Sequence, residues 1–379
     1  MYSSPSPSSS SSSPFSVLRL IIFILISICL LNHDSVAIEN QHQLLSVRNV
    51  NRSQSSKGNC DFFTGSWVFD NTYPLYDASK CPLIEREYSC QHNGRPDTQY
   101  EKYRWKPQGC ELVRFDGKDF SRRFRGKSIL FVGDSLSKNQ YESLICLLHS
   151  SIPNANYSMV RTASLSTFKI KYEITVMLQR NVYLVDVVSE KIGRVLKLDS
   201  LESSDTWMGV DTLIFNTWHW WNRRGTTQPW DYIQEGTKIY KDMDRLIAFK
   251  KALTTWGKWV DANVDPAKTE VFYQGVSPSH YNGSDWSEPR LKNCLLEKEP
   301  IKGSTYLGGT LQSVHAMKEV LNTIRKPVYL LDITTLSQLR KDGHPSMYGF
   351  GGPKAMDCSH WCLAGVPDTW NQILYNAIL

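Results

Sequence analysis

The fold is decided by residues 128–148, which read SILFVGDSLSKNQYESLICLL. The stretch begins with a short apolar run, Ser128–Val132, which is typical of a buried strand. Beyond Ser135 the apolar side chains recur at helical spacing, at Tyr141, Leu144, Ile145 and Leu148. We therefore predict a strand that carries Ser135 at its carboxyl end and a helix that begins just after this serine. Gly133 permits the tight turn between the two elements.

Apolar strands and amphipathic helices alternate along the chain after this unit. We predict strands over residues 170–178, 181–188, 212–216, 270–274 and 327–332, and helices over residues 240–259, 309–324 and 367–379. Such alternation predicts an α/β sandwich around a mostly parallel sheet. Open sheets of this kind bind their ligands at the carboxyl ends of the strands, where Ser135 is expected.

A second motif, Asp357-Cys-Ser-His360, lies a few residues before the last predicted helix. A serine hydroxyl becomes an effective nucleophile when an imidazole takes its proton, and a carboxylate can fix the tautomer of that imidazole. Ser135, His360 and Asp357 are therefore the candidate nucleophile, general base and orienting acid. The alternative is a helix-capping aspartate beside a structural histidine. Asp134 is predicted to fix the turn by accepting hydrogen bonds.

The first 58 residues differ in composition from the rest of the chain. Residues 1–37 hold a Ser/Pro-rich lead, the apolar run Leu20–Leu31 and the small-residue sequence Ser35-Val-Ala37, which together predict a secretory signal peptide. The apolar run is shorter than the ~20 residues of a transmembrane helix. An uncleaved, single-pass signal-anchor is the alternative. Residues 38–58 are polar and are predicted to form a disordered stem. Both interpretations place the rest of the protein in the secretory pathway, in the Golgi lumen or outside the cell.

Nine cysteines occur, and eight remain if Cys29 is removed with the signal. An even number in an oxidising compartment predicts four disulfides. No pair has the C-x2-C spacing of a zinc ribbon, so no metal is expected, although ligation by the cysteines that flank His360 is an alternative. Residues 59–119 are rich in cysteines and turn residues, which predicts a small cysteine-rich module before a catalytic domain over residues 120–379. The candidate disulfide cysteines are Cys60, Cys81, Cys90, Cys110, Cys146, Cys294, Cys358 and Cys362.

The charge and the aromatic content bear on possible ligands. The net charge is +6 with Lys and Arg scattered, so nucleic acid is not an expected partner, whereas an anionic polysaccharide such as pectin fits a mildly basic surface. The chain holds 12 tryptophans and 18 tyrosines, on which the flat faces of sugar rings can stack. The candidate sugar-contacting residues are Trp218, His219, Trp221, His280 and Trp286, with core packing as the alternative for each. Sequons at Asn51, Asn156 and Asn282 are candidate glycosylation sites.

Four blocks of the sequence closely resemble the plant trichome-birefringence-like family. They are VGDSLSKNQYESLICLL, FNTWHWW, SPSHYNG and DCSHWCLAGVPDTWN, at residues 132–148, 215–221, 277–283 and 357–371. The segment from Cys60 to Cys110 resembles the family's cysteine-rich module, so the resemblance covers roughly residues 59–379. It implies an SGNH/GDSL-like fold, Golgi O-acetyltransferase activity on wall polysaccharide, and a Ser-His-Asp triad of the candidate residues. It also implies the disulfides Cys294–Cys358 and Cys90–Cys362, which leave Cys60–Cys110 and Cys81–Cys146 to complete the set.

The resemblance further implies an oxyanion hole with three donors: the N–H of the nucleophile, a glycine N–H and an asparagine side chain. The first would come from Ser135, and the candidate asparagine is Asn216, for which a polar strand cap is the alternative. No glycine occurs between Leu136 and Ile192. Either another backbone N–H replaces it, near Ala163–Ser164, or the hole has two donors.

Three functions follow from these observations. The first is O-acetyl transfer to a cell-wall polysaccharide through an acyl-enzyme, which needs an acetyl donor but no bound cofactor. The second is an acetylesterase of cell-wall polysaccharide such as pectin, in which water takes the place of the sugar hydroxyl. The third is a non-catalytic protein that binds or bridges pectin or another polysaccharide.

Overall fold

Residues 128–133 form the central strand of a seven-stranded sheet in the computed structural model, which describes residues 60–379 apart from 153, 155 and 172. The strands of the described residues are β1 Gly65–Phe69, β2 Tyr103–Pro107, β3 Ser128–Gly133, β4 Tyr157–Arg161, β5 Leu165–Ile170, β6 Thr175–Arg180, β7 Asp186–Glu190, β8 Gly193–Lys197, β9 Thr212–Phe215, β10 Tyr232–Glu235, β11 Lys238–Tyr240, β12 Glu270–Gln274 and β13 Tyr329–Leu331. The α-helices are α1 Gly117–Arg123, α2 Ser135–Ser151, α3 Arg245–Asn263, α4 Gln312–Leu321, α5 Thr334–Gln338 and α6 Val366–Ile378.

The large sheet has the strand order β13-β12-β9-β3-β6-β5-β4. The strands from β13 to β6 are parallel, and β5 and β4 extend the sheet as antiparallel strands. In register, Gly133 at the end of β3 pairs with Arg180 of β6, and Val132 pairs with Phe215 of β9. The predicted α/β architecture with a mostly parallel sheet is therefore confirmed, and β3 ends between two other strands at the edge where such folds build their sites.

Helices cover both faces of this sheet. Ile129 and Phe131 of β3 belong to the core that contains α2 and α6, while Leu130 and Val132 belong to the core that contains α3 and α4. Successive residues of β3 are buried on opposite faces, which explains why the strand reads as a continuous apolar run. The sheet is thus the middle layer of an α/β/α sandwich.

Some predicted boundaries are wrong, each for a local reason. The predicted strand over residues 170–178 covers parts of two strands, because β5 ends at Ile170 and β6 begins at Thr175, and the sequence between them contains neither glycine nor proline to mark the break. The strand predicted from residue 181 begins at Asp186. Helix α3 begins at Arg245 because the side chain of Asp244 accepts hydrogen bonds from two backbone N–H groups of its first turn, while Tyr240 belongs to a strand.

A second, four-stranded sheet with the order β11-β10-β8-β7 was largely missed. Its strands are three to five residues long, and most of their residues are partly or fully exposed. Short strands with little apolar alternation resemble loops in a sequence.

The segment from Cys60 to Cys110 contains the antiparallel pair of β1 and β2 and is joined covalently to the sandwich. One disulfide, Cys60–Cys110, closes the segment on itself, whereas Cys81–Cys146 ties it to α2 and Cys90–Cys362 ties it to the loop before α6. In addition, the indole N–H of Trp67 donates to the carbonyl of Leu336 at 2.7 Å. The segment is therefore covalently linked to the helix that begins with Ser135 and to the loop that contains His360.

The predicted signal peptide or anchor, the stem, Cys29 and Asn51 lie outside the described residues. Within the part of the chain that the structure describes, none of the helices combines the length and the apolar character needed to span a bilayer.

Candidate active site

Ser135 is the first residue of α2 and follows β3 after a turn of one residue. Asp134 caps the helix, since its Oδ1 accepts a hydrogen bond from the N–H of Leu136 at 2.9 Å. A Cβ at Gly133 would lie 2.5 Å from the backbone oxygen of Asn216 and 2.4 Å from Oγ of Ser137, so only glycine fits the end of the strand. This turn places the serine at the positive end of the helix dipole, which favours negative charge that develops there.

The structure brings the three candidate catalytic residues together. Nε2 of His360 lies 2.7 Å from Oγ of Ser135, and Nδ1 of the same ring lies 2.7 Å from Oδ2 of Asp357. A carboxylate can only accept, so Nδ1 carries the proton and Nε2 is free to accept the serine proton. Oδ1 of Asp357 accepts from the N–H groups of Ser359 and His360, each at 3.0 Å, which fixes the orientation of the carboxylate.

The electrostatics of the site match these roles. Burial lowers the pKa of His360, but the hydrogen bond and charge of Asp357, helped by Glu87 and Asp134, raise this pKa above its ordinary value. Burial likewise raises the pKa of Asp357, but the hydrogen bond and charge of His360 and the two backbone N–H groups lower it further, to a value below the usual carboxyl range. Asp357 therefore stays ionised while His360 exchanges a proton.

Disulfides hold the loop from Asp357 to Cys362 at both ends. Cys358 is bonded to Cys294 and Cys362 to Cys90, and the four disulfides of the structure are the pairs that the family resemblance implies. Between the two bridges, the side chain of Asn139 on α2 accepts from the N–H of Trp361 at 2.8 Å and donates to its carbonyl at 3.1 Å. The loop is therefore fixed to the helix that carries Ser135.

His280 is not a surface residue, so its predicted contact with a sugar is wrong. Its side chain is fully buried, with Nδ1 at 2.6 Å from Nε2 of His344 and Nε2 donating to the carbonyl of Gln338 at 2.9 Å. Nδ1 of His344 in turn donates to the carbonyl of His360 at 2.6 Å. The two buried histidines thus form a chain of contacts that ends at the backbone carbonyl of His360 and helps to fix the position of the candidate general base.

Two of the predicted tryptophan platforms are also closed to a glycan. Trp221 has no exposed surface and packs against Tyr183 and Trp230 in the core, so the prediction is wrong for this residue. Trp286 is 5% exposed, and its indole N–H donates to Glu297 at 2.8 Å. So little of its ring reaches the surface that a sugar cannot stack on it, and this prediction is wrong as well.

Trp218 and His219 remain partly accessible and follow strand β9. Trp218 packs edge-on against Phe249, and Nε2 of His219 lies 2.8 Å from the carbonyl of Ser277. Burial lowers the pKa of His219, and the charges of Asp134, His360 and Asp357 also act on it, which puts His219 close to the candidate triad. A contact of these two residues with substrate stays a prediction.

Two exposed aromatic residues lie in loops that approach the segment around Asp357, and neither was predicted. Tyr281 is 47% exposed, and its hydroxyl accepts from the N–H of Cys358 at 3.1 Å. Phe350 is 75% exposed in a glycine-rich loop, where the adjacent Gly349 lies so close that a Cβ there would be 3.4 Å from Cβ of Asp357. Neither residue is marked in the sequence by periodicity, because both lie in loops whose position depends on contacts made elsewhere in the chain.

The candidate oxyanion donors lie on neighbouring strands. Asn216 is buried directly after β9, its N–H donates to the carbonyl of Val132 at 3.0 Å, and Oδ1 of its side chain has no hydrogen-bond partner among the described residues. A side-chain amide beside the end of β3 suits the predicted role. The turn that contains Ser164 lies beside the end of β6, since the carbonyl of Ser164 accepts from the N–H of Arg180 at 2.9 Å. Which group replaces the missing glycine stays a prediction.

The other predicted sites are placed as follows. Asn156 and Asn282 are exposed, and Asn282 also caps a short 3₁₀ turn by accepting from the N–H of Ser284 at 3.2 Å. In the described part of the chain, no three His, Cys, Asp or Glu side chains are grouped as metal ligands would be.

Comparison with known proteins assigns the chain to a family. Residues 112–377 match the "GDSL/SGNH-like Acyl-Esterase family found in Pmr5 and Cas1p", and residues 58–111 match the "PMR5 N terminal Domain". Protein trichome birefringence-like 41 of Arabidopsis thaliana is 59% identical over 319 residues, which are 84% of this chain and 90% of that relative. Protein trichome birefringence-like 40 of the same plant is 53% identical over 341 residues, which cover 90% of this chain and 93% of the relative. The SGNH-like fold is thereby confirmed. The plant relatives and the four disulfides of this chain are both consistent with a protein of the secretory pathway.

Proposed function

The chain belongs to the plant trichome birefringence-like family, and from this premise we propose that it is an O-acetyltransferase of cell-wall polysaccharide that works through an acyl-enzyme on Ser135. The observation that carries the proposal is the 2.7 Å contact between Nε2 of His360 and Oγ of Ser135. The other ring nitrogen, Nδ1, makes an equally short contact with Oδ2 of Asp357. This chain of contacts has the geometry in which an imidazole activates a serine. We propose that the protein works in the Golgi lumen if its signal-anchor is retained, and in the cell wall if the signal is cleaved.

The first half of the reaction transfers the acetyl group from the donor to the protein. Oγ of Ser135 attacks the carbonyl carbon while its proton passes to Nε2 of His360, and Asp357 stabilises the imidazolium that forms. The carbonyl oxygen becomes an oxyanion, for which the N–H of Ser135 and the side-chain amide of Asn216 are the proposed donors, at the positive end of α2. The leaving oxygen of the donor then takes the proton from His360.

The second half transfers the acetyl group to the acceptor. A sugar hydroxyl gives its proton to Nε2 of His360 and attacks the acetyl carbon. The bond between that carbon and Oγ of Ser135 then breaks, and Oγ takes the proton back from His360. The acceptor must reach the same edge of the sheet, so Trp218, His219, Tyr281 and Phe350 are its proposed contacts. The flat aromatic faces of the exposed residues Tyr281 and Phe350 suit the C–H faces of sugar rings.

A polysaccharide acetylesterase, acting for instance on pectin, is the second candidate. The side chains of His360 and Asp357 are 22% and 21% exposed, so water can approach the base from the surface. In this reaction water gives its proton to His360 and takes the place of the sugar hydroxyl. The same residues serve both reactions, and the acceptor alone distinguishes them.

One experiment tests the proposal and separates the two candidates. The purified protein is incubated with an acetylated donor and with deacetylated xylan, mannan, xyloglucan and pectin, and acetate release is followed together with acetyl gain on each polymer. We expect acetyl gain on one polymer, and none with Ser135→Ala. Release of acetate without any acetyl gain would replace the transferase by the esterase. Binding of a polymer without acetyl turnover would favour the non-catalytic alternative.

A further inference from the structure

Tyr88 lies in the cysteine-rich segment but reaches into the candidate active site. Its side chain is fully buried, and its hydroxyl donates to the backbone carbonyl of Ser135 at 2.9 Å. Its ring also packs beside the ring of His360, with centroids 5.8 Å apart. One side chain from residues 58–111 therefore contacts both the candidate nucleophile and the candidate base.

The contact with Ser135 fixes the peptide group that follows the serine. On one side of this peptide, the N–H of Leu136 donates to the carboxylate of Asp134 at 2.9 Å. On the other side, the carbonyl of Ser135 accepts from Tyr88. Because both polar atoms of the peptide are engaged, the backbone of Ser135 cannot rotate without losing a buried hydrogen bond.

Tyr88 is itself held in place by the loop that carries the base. Its carbonyl accepts from the N–H of Leu363 at 3.0 Å, and the neighbouring Cys90 is bonded to Cys362. On the other side, Glu87 and Glu85 pair with Lys138 of α2. The strip from Glu85 to Cys90 thus runs between the helix that begins with Ser135 and the loop that contains His360, and it is fastened to each.

We infer that Tyr88 is a positioning residue for the acyl-enzyme reaction, which sets the distance between Oγ of Ser135 and Nε2 of His360 from within the N-terminal module. The inference rests on the proposed function, since it needs Ser135 as the nucleophile. It assigns the cysteine-rich module a part in catalysis: the sandwich carries the three reacting residues, and the module fixes their spacing. Burial raises the pKa of Tyr88, so its hydroxyl keeps its proton and remains a donor.

The test uses a fluorophosphonate, which needs neither the acetyl donor nor the glycan. Oγ of Ser135 forms a bond to phosphorus, fluoride leaves, and the serine proton passes to His360. The full-length protein is produced in a eukaryotic secretory host so that its disulfides form, and labelling is measured as a function of probe concentration to give a maximal rate and a binding constant. The variants are Tyr88→Phe, which keeps the ring and loses the hydroxyl, and Tyr100→Phe as a matched control.

Tyr100 is a suitable control because it is also fully buried in the same segment, but its hydroxyl bonds to Glu101 and Gln91 rather than to the candidate site. We expect Tyr88→Phe to lower the maximal labelling rate about tenfold with an unchanged binding constant, since displacement of reacting groups by a fraction of an ångström is costly. Tyr100→Phe should label like the wild type. Melting temperatures of all variants are measured in parallel.

Each other outcome has a separate meaning. Wild-type labelling by Tyr88→Phe, or an equal loss in both variants, would overturn the positioning role while leaving Ser135 as the nucleophile. A wild-type protein that is not labelled at Ser135 would overturn the proposed function, and the role of Tyr88 with it. Should Tyr88→Phe not be secreted, Tyr88→Leu tests the loss of the hydroxyl and the ring together, with Tyr100→Leu as its matched control.

Discussion

The two halves of the candidate triad are positioned in different ways. The serine half depends on adjacent residues: β3 ends at Gly133, Asp134 caps α2, and Ser135 is the first residue of that helix. The histidine half is a loop without regular structure, held by two disulfides, by the side chain of Asn139 and by the buried His344. The nucleophile is therefore placed by local secondary structure, and the base by partners that are distant in sequence.

This difference predicts which changes disturb each half. Apart from the contact with Tyr88, the serine side should tolerate the loss of distant contacts, because the strand, the cap and the helix form from residues 128–151. The histidine side should lose its geometry when a long-range connection is cut, even though the three reacting residues are unchanged. Four experiments test this comparison, from the largest expected effect to the smallest.

Removal of either half should abolish turnover to the same extent. Ser135→Ala and His360→Ala should each lower kcat by about 10⁴- to 10⁶-fold, and the double variant should be no slower than the single ones, because the residues act as one unit. Acetyl turnover and fluorophosphonate labelling measure the effect, with circular dichroism as the control for folding. Additive losses in the double variant, or residual activity of Ser135→Ala near that of the wild type, would contradict a shared mechanism.

Loss of the bridge at the end of the histidine loop should impair catalysis as well as stability. We expect Cys90→Ser with Cys362→Ser to lower the free energy of unfolding by about 2–5 kcal/mol and also to reduce kcat. The matched control is Cys60→Ser with Cys110→Ser, since this bridge closes the cysteine-rich segment on itself and touches neither half of the triad. The control should lose stability and keep its kcat. Equal changes of kcat in the two variants would show that the loop does not depend on its bridge.

The difference between the two halves also explains which parts of the candidate site could be predicted from the sequence. The strand, the turn and the helix around Ser135 were predictable because apolar periodicity, a glycine and a capping aspartate are neighbours there. Asp357 and His360 could be proposed from their motif, and the disulfide partners only from a family resemblance. Tyr88 and His344 could not be found, because a buried tyrosine or histidine in a loop carries no periodic signal, and their contacts join residues 47 and 16 positions apart.

The substrate surface was the least predictable part for a related reason. Trp221 and Trp286 were proposed as sugar contacts from residue type, but a large aromatic ring fills a core as readily as it lines a cleft. Their burial depends on Tyr183, Trp230 and Glu297, which no local pattern connects with them. Residue type alone therefore identified aromatic content without locating the accessible rings.

The acid limb of the pH profile should reveal the link between Asp357 and His360. Proton acceptance needs neutral His360, so activity should fall as the pH drops below the pKa of this ring, which lies above its ordinary value of 6.5. In Asp357→Asn the charge that raises this pKa is lost while the lowering effect of burial remains. The titration of His360, followed by NMR, should therefore shift to lower pH. Asp231→Asn, in which the altered carboxyl belongs to an exposed pair with Arg194, is the control. An unchanged or higher pKa of His360 in Asp357→Asn would contradict the assigned orientation of the pair.

The smallest effect is expected at Phe350, a proposed contact of the glycan near the histidine loop. Phe350 follows Gly349, which approaches Asp357, and exposes three quarters of its surface. Loss of its ring should raise KM for the polysaccharide a few-fold, equivalent to about 1 kcal/mol of stacking, because a sugar face would lose its contact. Phe350 touches none of the reacting atoms, so kcat should change less than about twofold in Phe350→Ala. Val160→Ala is the control, since this exposed apolar residue lies on β4, three strands from β3. A fall in kcat without a change in KM would mean that Phe350 acts on Asp357 through Gly349, and the acceptor would then have to bind on the serine side, along Trp218 and His219.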